Sequence, residues 1–448
     1  MPTLPTLGSL AALLGAAPPA EPGRVVEHIT DDTRTLDARR PGALFVALAG
    51  ARDGHDFVPE ALLRGAIGAV VRRGFAPEGV PRGSLLAVDD TARAHPMLAG
   101  DWRRRHTATV VCVTGSAGKT STKELLRHAL ATAGTTLATP GNQNEERGVP
   151  ATLLRLAPEH RFLVLELGMR GPGQIRALAA IARPEVGVLT NVGEAHLGRL
   201  GSRAAVARAK CELLEELAPG GVAVLPAADA SLVALARELW RGRVVTFGLG
   251  AGDVQGELRA PGELVVEGER FALPLPGAHQ ARNFLAALAV ARVLDIPWAP
   301  LRALDVELPG GRGRRLELPA GAVLLDESYN AAPDSMRAVL RALAAEPARR
   351  RLAVLGSMRE LGPESLALHR EMGALVAALG LDRLYVLDDG PDAAALAEAA
   401  APVPTERFAS DPELARALAS ALGPGDVVVV KGARAVGLER VVAALAAP

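Results

Sequence analysis

The run Thr114-Gly-Ser-Ala-Gly-Lys-Thr120 combines the groups needed to hold a phosphate chain. Two glycines let backbone N–H groups turn toward an anion, and the lysine brings a mobile positive charge to the outer phosphates. The Thr120 hydroxyl is a hard oxygen donor suited to Mg²⁺. A strand-like stretch, Thr109-Val-Val-Cys-Val-Thr114, leads into the run and a helical stretch follows it. In that context a helix N-terminus completes the anion site. The usual eight-residue phosphate-loop pattern is incomplete: Val113 stands where its first glycine belongs, leaving Gly-x-x-Gly-Lys-Thr. An ordinary glycine-rich turn is the plain alternative. No lysine follows an asparagine, so the Asn-Lys-x-Asp element that selects guanine is missing and ATP is the expected nucleotide.

Three more residues have chemistry to offer. Glu166 ends the apolar run Phe162-Leu-Val-Leu-Glu166, and His196 lies in Thr190-Asn-Val-Gly-Glu-Ala-His-Leu-Gly198, just beyond another strand-like run. Strand ends on one edge of a parallel sheet converge where ligands bind, so this carboxylate and imidazole could hold Mg²⁺ near a phosphate. A hydrogen-bonded loop histidine and an unremarkable strand-end glutamate are the alternatives. Lys210 lies on a helix expected from Arg203 to Leu217, with Val206, Leu213, Leu214 and Leu217 on its apolar face. Burial lowers the pKa of an ammonium, and the neutral amine can add CO₂ to give a carbamate, a metal-binding anion that a guanidinium cannot form. On position alone, Lys210 reads slightly better as an exposed helix lysine.

Composition narrows the class of protein that must position these groups. The chain has 448 residues, which at ~150 per domain suggests about three domains. Fifty basic residues balance fifty acidic ones, which argues against a nucleic-acid or membrane-surface binder. No apolar run reaches the ~18 residues of a membrane span. Leu7 to Ala17 is apolar but lacks a preceding Lys or Arg, so a short amphipathic helix opening at Thr6 is expected rather than a signal peptide. Two cysteines, Cys112 and Cys211, cannot build a disulfide scaffold and suit a reducing, cytoplasmic setting. Of the 50 basic residues 46 are Arg; the lysines are Lys119, Lys123, Lys210 and Lys431, and Asn occurs only at 142, 144, 191, 283 and 330. These survivors are candidates for positions where Arg or Gln cannot do the chemistry.

The texture divides the chain into residues 1–106, 107–308 and 309–448. The first part reads as a small α/β domain with strands such as Ala43 to Leu48 and Ala69 to Arg72. In the second, strands at 109–114, 161–167, 185–190, 221–225 and 243–247 alternate with helices, which argues for βαβ units and a mostly parallel sheet. Short strands are expected within 253–275 and a helix from about Ala281. After the turn-rich Pro309-Gly-Gly-Arg-Gly313, strands at 322–326, 351–356, 383–388 and 426–431 form a separate Rossmann-like unit. The Ala-rich stretch 393–401 reads as helix.

Together these motifs resemble the Mur ligases over essentially the whole chain. The resemblance rests on Asp31-Asp-Thr-Arg34, Gly42-Ala-Leu-Phe-Val-Ala47, the phosphate loop, Gly141-Asn142, Glu166-Leu-Gly168, Asn191 to His196, Ala207-Arg-Ala-Lys210, Gly311-Arg312, Asp326-Glu-Ser-Tyr-Asn-Ala331 and Met358-Arg-Glu-Leu-Gly362. Ser328-Tyr-Asn-Ala-x-Pro-x-Ser335 resembles the member that adds D-alanyl-D-alanine; the Asp-Asn-Pro-Arg element of the diaminopimelate-adding member is missing.

The resemblance implies a three-domain α/β ligase: an N-terminal UDP-binding domain, a central phosphate-loop ATPase with a parallel sheet, and a C-terminal Rossmann-like domain. The implied reaction is ATP-dependent ligation of D-Ala-D-Ala to UDP-N-acetylmuramoyl-tripeptide through an acyl phosphate, by a monomer. It places Thr114, Gly115, Ser116, Ala117, Gly118, Lys119 and Thr120 around ATP, with Asn283 on the adenine. It places Arg312, Asp326, Tyr329 and Asn330 on a domain that closes over the nucleotide. It implies two Mg²⁺ ions held by Thr120, Glu166, His196 and a carbamylated Lys210, reversing the plain reading of that lysine. Thr33, Arg34, Asp53, Gly54 and His55 fall near the UDP-sugar. The chain departs from the family pattern at Glu145, Arg147, Gln280, Glu327 and Ser357. A different ligase of the same fold and a nucleotide-driven switch are the competing functions.

Overall fold

The apolar runs that alternate with polar turns become three separate sheets in the computed structural model, which describes residues 4–260 and 262–447. The first sheet has four parallel strands in chain order: His28–Thr30, Ala43–Val46, Ala66–Arg72 and Leu85–Val88. Every residue of Ala43–Val46 is buried, as expected for a parallel strand covered on both faces. The expected helix spans Leu7–Leu14; Thr6 accepts from the Ser9 N–H and Ser9 returns a bond to the Thr6 N–H, so two otherwise orphaned donors are satisfied.

The second sheet has nine strands and is parallel except at one end. Strand Thr109–Thr114 lies between Phe162–Glu166 and Val186–Leu189, running parallel to both. The chain passes from Thr109–Thr114 to the edge strand Thr136–Ala138, returns through Phe162–Glu166, and then crosses to the other side. That reversal opens a crevice at the carboxyl ends of the three inner strands. The region 253–275 adds Val254–Ala260, Glu263–Val266 and Glu269–Ala272, the last two antiparallel. Helix Ala278–Val293 covers one face. It begins a turn before Ala281 and is buried all round from Asn283 to Ala291, which is why it shows no polar stripe.

The third sheet has six strands, with Asp426–Lys431 between Val323–Asp326 and Arg350–Leu355. The edge strands Thr136–Ala138, Arg314–Glu317 and Thr405–Phe408 were not expected from the sequence. They are three or four residues long and the last two are mostly charged or polar, so they carry little apolar periodicity. Short charged edges also resist pairing with other chains.

Asp426 starts the central strand of this third sheet, fully buried, and accepts from Arg349, Arg350 and the Gly423 N–H. Burial alone would raise its carboxyl pKa, but the bonds from Arg350, Arg349 and Gly423 outweigh it and bring the value from 3.8 down to about 2. A pKa lowered by folding stabilises the native state above the unfolded-state value, and that contribution is lost as pH falls through the folded-state value. Urea unfolding of Asp426→Asn should therefore show lower stability at pH 7 and a flatter decline between about pH 4 and pH 2 than the parent chain. A parallel acid limb in the two proteins would remove Asp426 from the acid response.

Candidate active site

The phosphate loop leaves strand Thr109–Thr114 and enters helix Lys119–Ala131, whose N-terminus has no side-chain cap. Its first N–H groups are therefore available to an anion. Val113 is fully buried inside the strand, so the sheet runs on to Thr114 and the loop is correspondingly short. The next crossover strand holds the loop in shape: Asn191 Oδ1 accepts from the Ala117 N–H at 2.8 Å, Thr190 Oγ1 donates to the Ala117 carbonyl at 2.6 Å, and the Gly193 N–H donates to Ser116 Oγ at 2.9 Å. A Cβ at Gly115 would lie 1.9 Å from Thr190 Oγ1, so this close approach admits only glycine.

Lys119 is half-buried and donates to the Gly115 carbonyl at 2.8 Å. Burial pulls its pKa down; the Glu166 carboxylate pulls the other way and the Arg312 guanidinium adds to the lowering. Thr120 Oγ1 donates to one oxygen of Glu166 at 2.7 Å and Asn144 Nδ2 donates to the other at 2.6 Å. The Glu166 N–H in turn donates to Thr139 Oγ1, and the fully buried Lys123 ammonium donates to the carbonyls of Thr139 and Gly141. Asn144, Thr139 and Lys123 had not been singled out as site residues, although the rarity of Lys and Asn had marked the first and last as unusual.

His196 and Lys210 come to the same place from the elements after strand Val186–Leu189. His196 precedes the short helix Leu197–Leu200, and Lys210 lies on helix Arg203–Glu215. Lys210 is 1% exposed, not an exposed helix lysine. Burial, followed by repulsion from Lys119, holds its pKa well below the ordinary value. Among the described residues, no carboxylate pairs with it. Burial also lowers the pKa of His196; a bond to Glu360 opposes this, and the charges of Lys119 and Lys210 reinforce it. Both lysines are thus near enough to act on the imidazole.

The third sheet delivers its residues across the crevice. Arg312 lies over the Tyr329 ring, 3.7 Å from its centroid, and one of its buried terminal nitrogens has no protein partner. An unpaired guanidinium N–H in a cluster of cations is a fit for an anionic ligand. Asp326 accepts from the N–H groups of Gly311 and Ser328 and from the Ser328 hydroxyl, fixing the turn that carries Arg312 and Tyr329. Lys431 donates to the Asn330 carbonyl at 2.8 Å. Asn283 lies against Gly118 and donates to Gln280.

The first-sheet residues form a separate group. Thr33 and Arg34 follow strand His28–Thr30, and Asp53, Gly54 and His55 follow the adjacent Ala43–Val46, so all five lie at one carboxyl edge. Arg34 is held by Asp32. His55 donates from Nδ1 to Asp53 and accepts at Nε2 from the Arg72 N–H, so both ring nitrogens are used within the domain. This edge meets the phosphate-loop domain where Arg147 pairs with Asp31 at 2.8 Å. The other departures from the family pattern also have local partners: Glu145 pairs with Arg170, and Ser357 donates to Asp389.

No group of three or more His, Cys, Asp or Glu side chains converges as a ready-made metal cage among the described residues. Hard oxygens of Thr120 and Glu166 beside the phosphate loop suit Mg²⁺, which usually takes few protein ligands and completes its shell with phosphate and water. An unpaired, buried Lys210 beside His196 fits a group that needs one more anion.

Residues 113–291 match the Mur ligase middle domain and residues 311–434 match the Mur ligase glutamate ligase domain. The chain belongs to the Mur ligase family. It is 45% identical, over 94% of its length and 92% of the other chain, to a UDP-N-acetylmuramoyl-tripeptide–D-alanyl-D-alanine ligase of Synechocystis sp.. Identity to the Escherichia coli ligase of the same name is 36%, covering 94% of each chain. MurF from Acinetobacter baumannii superimposes with a TM-score of 0.85 at 29% identity over 99% of both chains. MurF ligase from Thermotoga maritima, solved in complex with ADP, gives a TM-score of 0.80 at 30% identity over 93% of this chain and 96% of that one. The three-domain α/β ligase architecture implied by the motifs is borne out.

Replacing Lys119 by Ala removes the loop's mobile charge but none of its backbone donors. Calorimetric titration with ADP or ATP should show a Kd raised roughly 10- to 100-fold, the loss expected for one hydrogen bond to a charged group. An unchanged Kd would take Lys119 out of the phosphate site.

Proposed function

We propose that the chain uses ATP to join D-alanyl-D-alanine to UDP-N-acetylmuramoyl-tripeptide, forming an amide bond with release of ADP and phosphate. The observation that carries this reading is the crevice itself. Lys119 and the free helix N-terminus sit on one side and Arg312, with an unpaired terminal nitrogen, on the other, in a chain that matches a ligase of that activity over 94% of its length. The proposed domains are residues 1–106 for the UDP-sugar, 107–308 for ATP and 309–448 for closure over both.

A free carboxylate is a poor electrophile and must be activated before an amine can displace oxygen from it. The tripeptide's terminal carboxylate oxygen attacks the γ-phosphorus of ATP; a new O–P bond forms and the bond to ADP breaks. The dipeptide amine then attacks the acyl carbon, a C–N bond forms with loss of one proton, and phosphate leaves. Two anions meet in the first step, so Lys119, Arg312 and the N–H groups of residues 115–120 work by stabilising charge and by alignment.

Thr120 and Glu166 would hold one Mg²⁺; His196 and a carbamylated Lys210 would hold a second. Such ions supply charge neutralisation at the phosphates and the acyl oxygen. The neutral Lys210 amine and CO₂ give the carbamate and one proton; the lowered pKa and the missing carboxylate partner favour that amine. Asn144 and Thr139 keep Glu166 in place. The turn from Asp326 to Asn330, with Arg312, would close the crevice and keep water from the acyl phosphate.

All proposed groups come from one chain, so a monomer suffices. Two buried free thiols suit a reducing cytoplasm. No helix among the described residues is long and apolar enough to cross a membrane.

Hydroxylamine added with ATP and the UDP-linked tripeptide should trap an acyl hydroxamate, and ADP release should rise on adding D-Ala-D-Ala. Hydrolysis indifferent to both substrates would instead support a nucleotide switch. Lys210→Arg should be nearly inactive, while Lys210→Ala should recover partly with added short carboxylates; wild-type turnover in Lys210→Arg would rule out the carbamate.

A further inference from the structure

The second and third domains meet at a narrow seam. Gly198 of the second faces Gly362 of the third so closely that a Cβ at Gly198 would lie 2.6 Å from the Gly362 nitrogen, and one at Gly362 would lie 2.7 Å from the Gly198 Cα. The Gly198 N–H donates to the Glu360 carbonyl at 3.0 Å. Beside this backbone contact, His196 Nδ1 lies 2.6 Å from Glu360 Oε2, and Arg199 reaches Oε1 at 3.3 Å. Both members of the His196–Glu360 pair have left-handed backbones, with φ of 65° and 63°. Non-glycine residues hold that conformation only at an energetic cost, so the surrounding contacts impose it.

The seam also encloses open space. A cavity of about 450 Å³ runs along it between Glu194, Leu197, Gly201, Leu361, Pro363 and Glu364. Arg337 and Asp334 form a second tie: Arg337 bonds to Glu194 of the second domain at 2.8 Å and to Glu371 of its own, and Asp334 accepts from the Glu194 N–H and lies against Gly193. Polar ties around a void mark an inter-domain surface rather than a continuous core, and relative motion across such a surface is the default.

We propose that Glu360 is a positioning residue that the third domain supplies to His196 when it docks. An ionised carboxylate only accepts hydrogen bonds, so the imidazole facing it must carry its proton on Nδ1. The Nε2 lone pair is then free for a divalent cation, in the carboxylate–histidine–metal arrangement in which the outer carboxylate sets the tautomer and orientation of the ligand. Undocked, His196 loses that partner and its ring is free to take the other tautomer. Cation binding at His196 and docking of the third domain thus favour each other, through a carboxylate some 160 residues away in sequence. The inference rests on the reading of His196 as a metal ligand.

The test is a titration of the full chain, with ADP present, by Mn²⁺, a paramagnetic stand-in for Mg²⁺ whose free form is counted by electron paramagnetic resonance. His196→Ala should lose the site that depends on the imidazole. Glu360→Ala should weaken that site roughly 10- to 100-fold, the usual effect of removing an outer partner. Glu360→Gln keeps an acceptor oxygen and should fall between. Gly198→Ala, which blocks the backbone contact, should weaken the site about as much as Glu360→Ala, and the double variant no further. Melting temperatures report that each variant is folded. Wild-type Mn²⁺ affinity in Glu360→Ala, with the site lost in His196→Ala, overturns the role of Glu360 and leaves the metal site standing. Full affinity in Gly198→Ala overturns its dependence on docking. Full affinity in His196→Ala itself removes the metal ligand on which both rest.

Discussion

Three cationic side chains converge on one crevice, and the placement of that charge constrains everything around it. Lys119 lies close enough to Lys210 to lower its affinity for a proton, and Arg312 does the same to Lys119 from the opposite domain. Like charges do not gather in a folded chain unless other forces hold them. Here a glycine-rich turn fixes Lys119, an apolar helix face buries Lys210, and the Tyr329 ring supports Arg312. Glu166 balances only part of this charge. A bound polyanion would relieve the rest, so repulsion among these cations would be converted into binding energy for a nucleotide.

The three sheets present their loops by the same rule, the second and third at that crevice and the first at its own separate edge. In each, the residues of interest follow the carboxyl end of a parallel strand: Thr33 and Asp53 in the first, the phosphate loop, Glu166 and His196 in the second, and the Asp326–Asn330 turn in the third. The second sheet contributes most because its strand order reverses at Thr109–Thr114, so neighbouring loops part there instead of packing together. The third domain meets the second through the Gly198–Gly362 approach and the Glu194–Arg337 pair.

Much of this was legible in the sequence because chemistry and periodicity coincide. The sequence reading of strand Asp426–Lys431 matches its bounds, since four consecutive valines between two charged ends leave one continuous apolar signal. The phosphate loop was readable because glycine, lysine and threonine leave few alternatives in that order. The burial of Lys210 was not: its helix has polar residues on both sides, and only the fold shows which face turns inward. Asn144 and Glu360 were invisible as partners of Glu166 and His196, because those pairs lie 22 and 164 residues apart and form only when loops of different strands or domains meet. The scarcity of lysine was the better clue. Lys123, Lys210 and Lys431 are at most 3% exposed and Lys119 is half-buried, so all four remain where a bulkier planar guanidinium would not fit or could not do the same work.

The bridge between Asp31 and Arg147 has a mechanical side. Arg147 sits three residues beyond Asn144, on the short turn that presses that amide against Glu166. Beside the packing of helix Thr91–Arg104 on the second domain, this bridge joins the first domain to the peptide segment whose position sets the carboxylate. A shift of the first sheet's edge along that bridge would reach Glu166 through a lever only a few residues long.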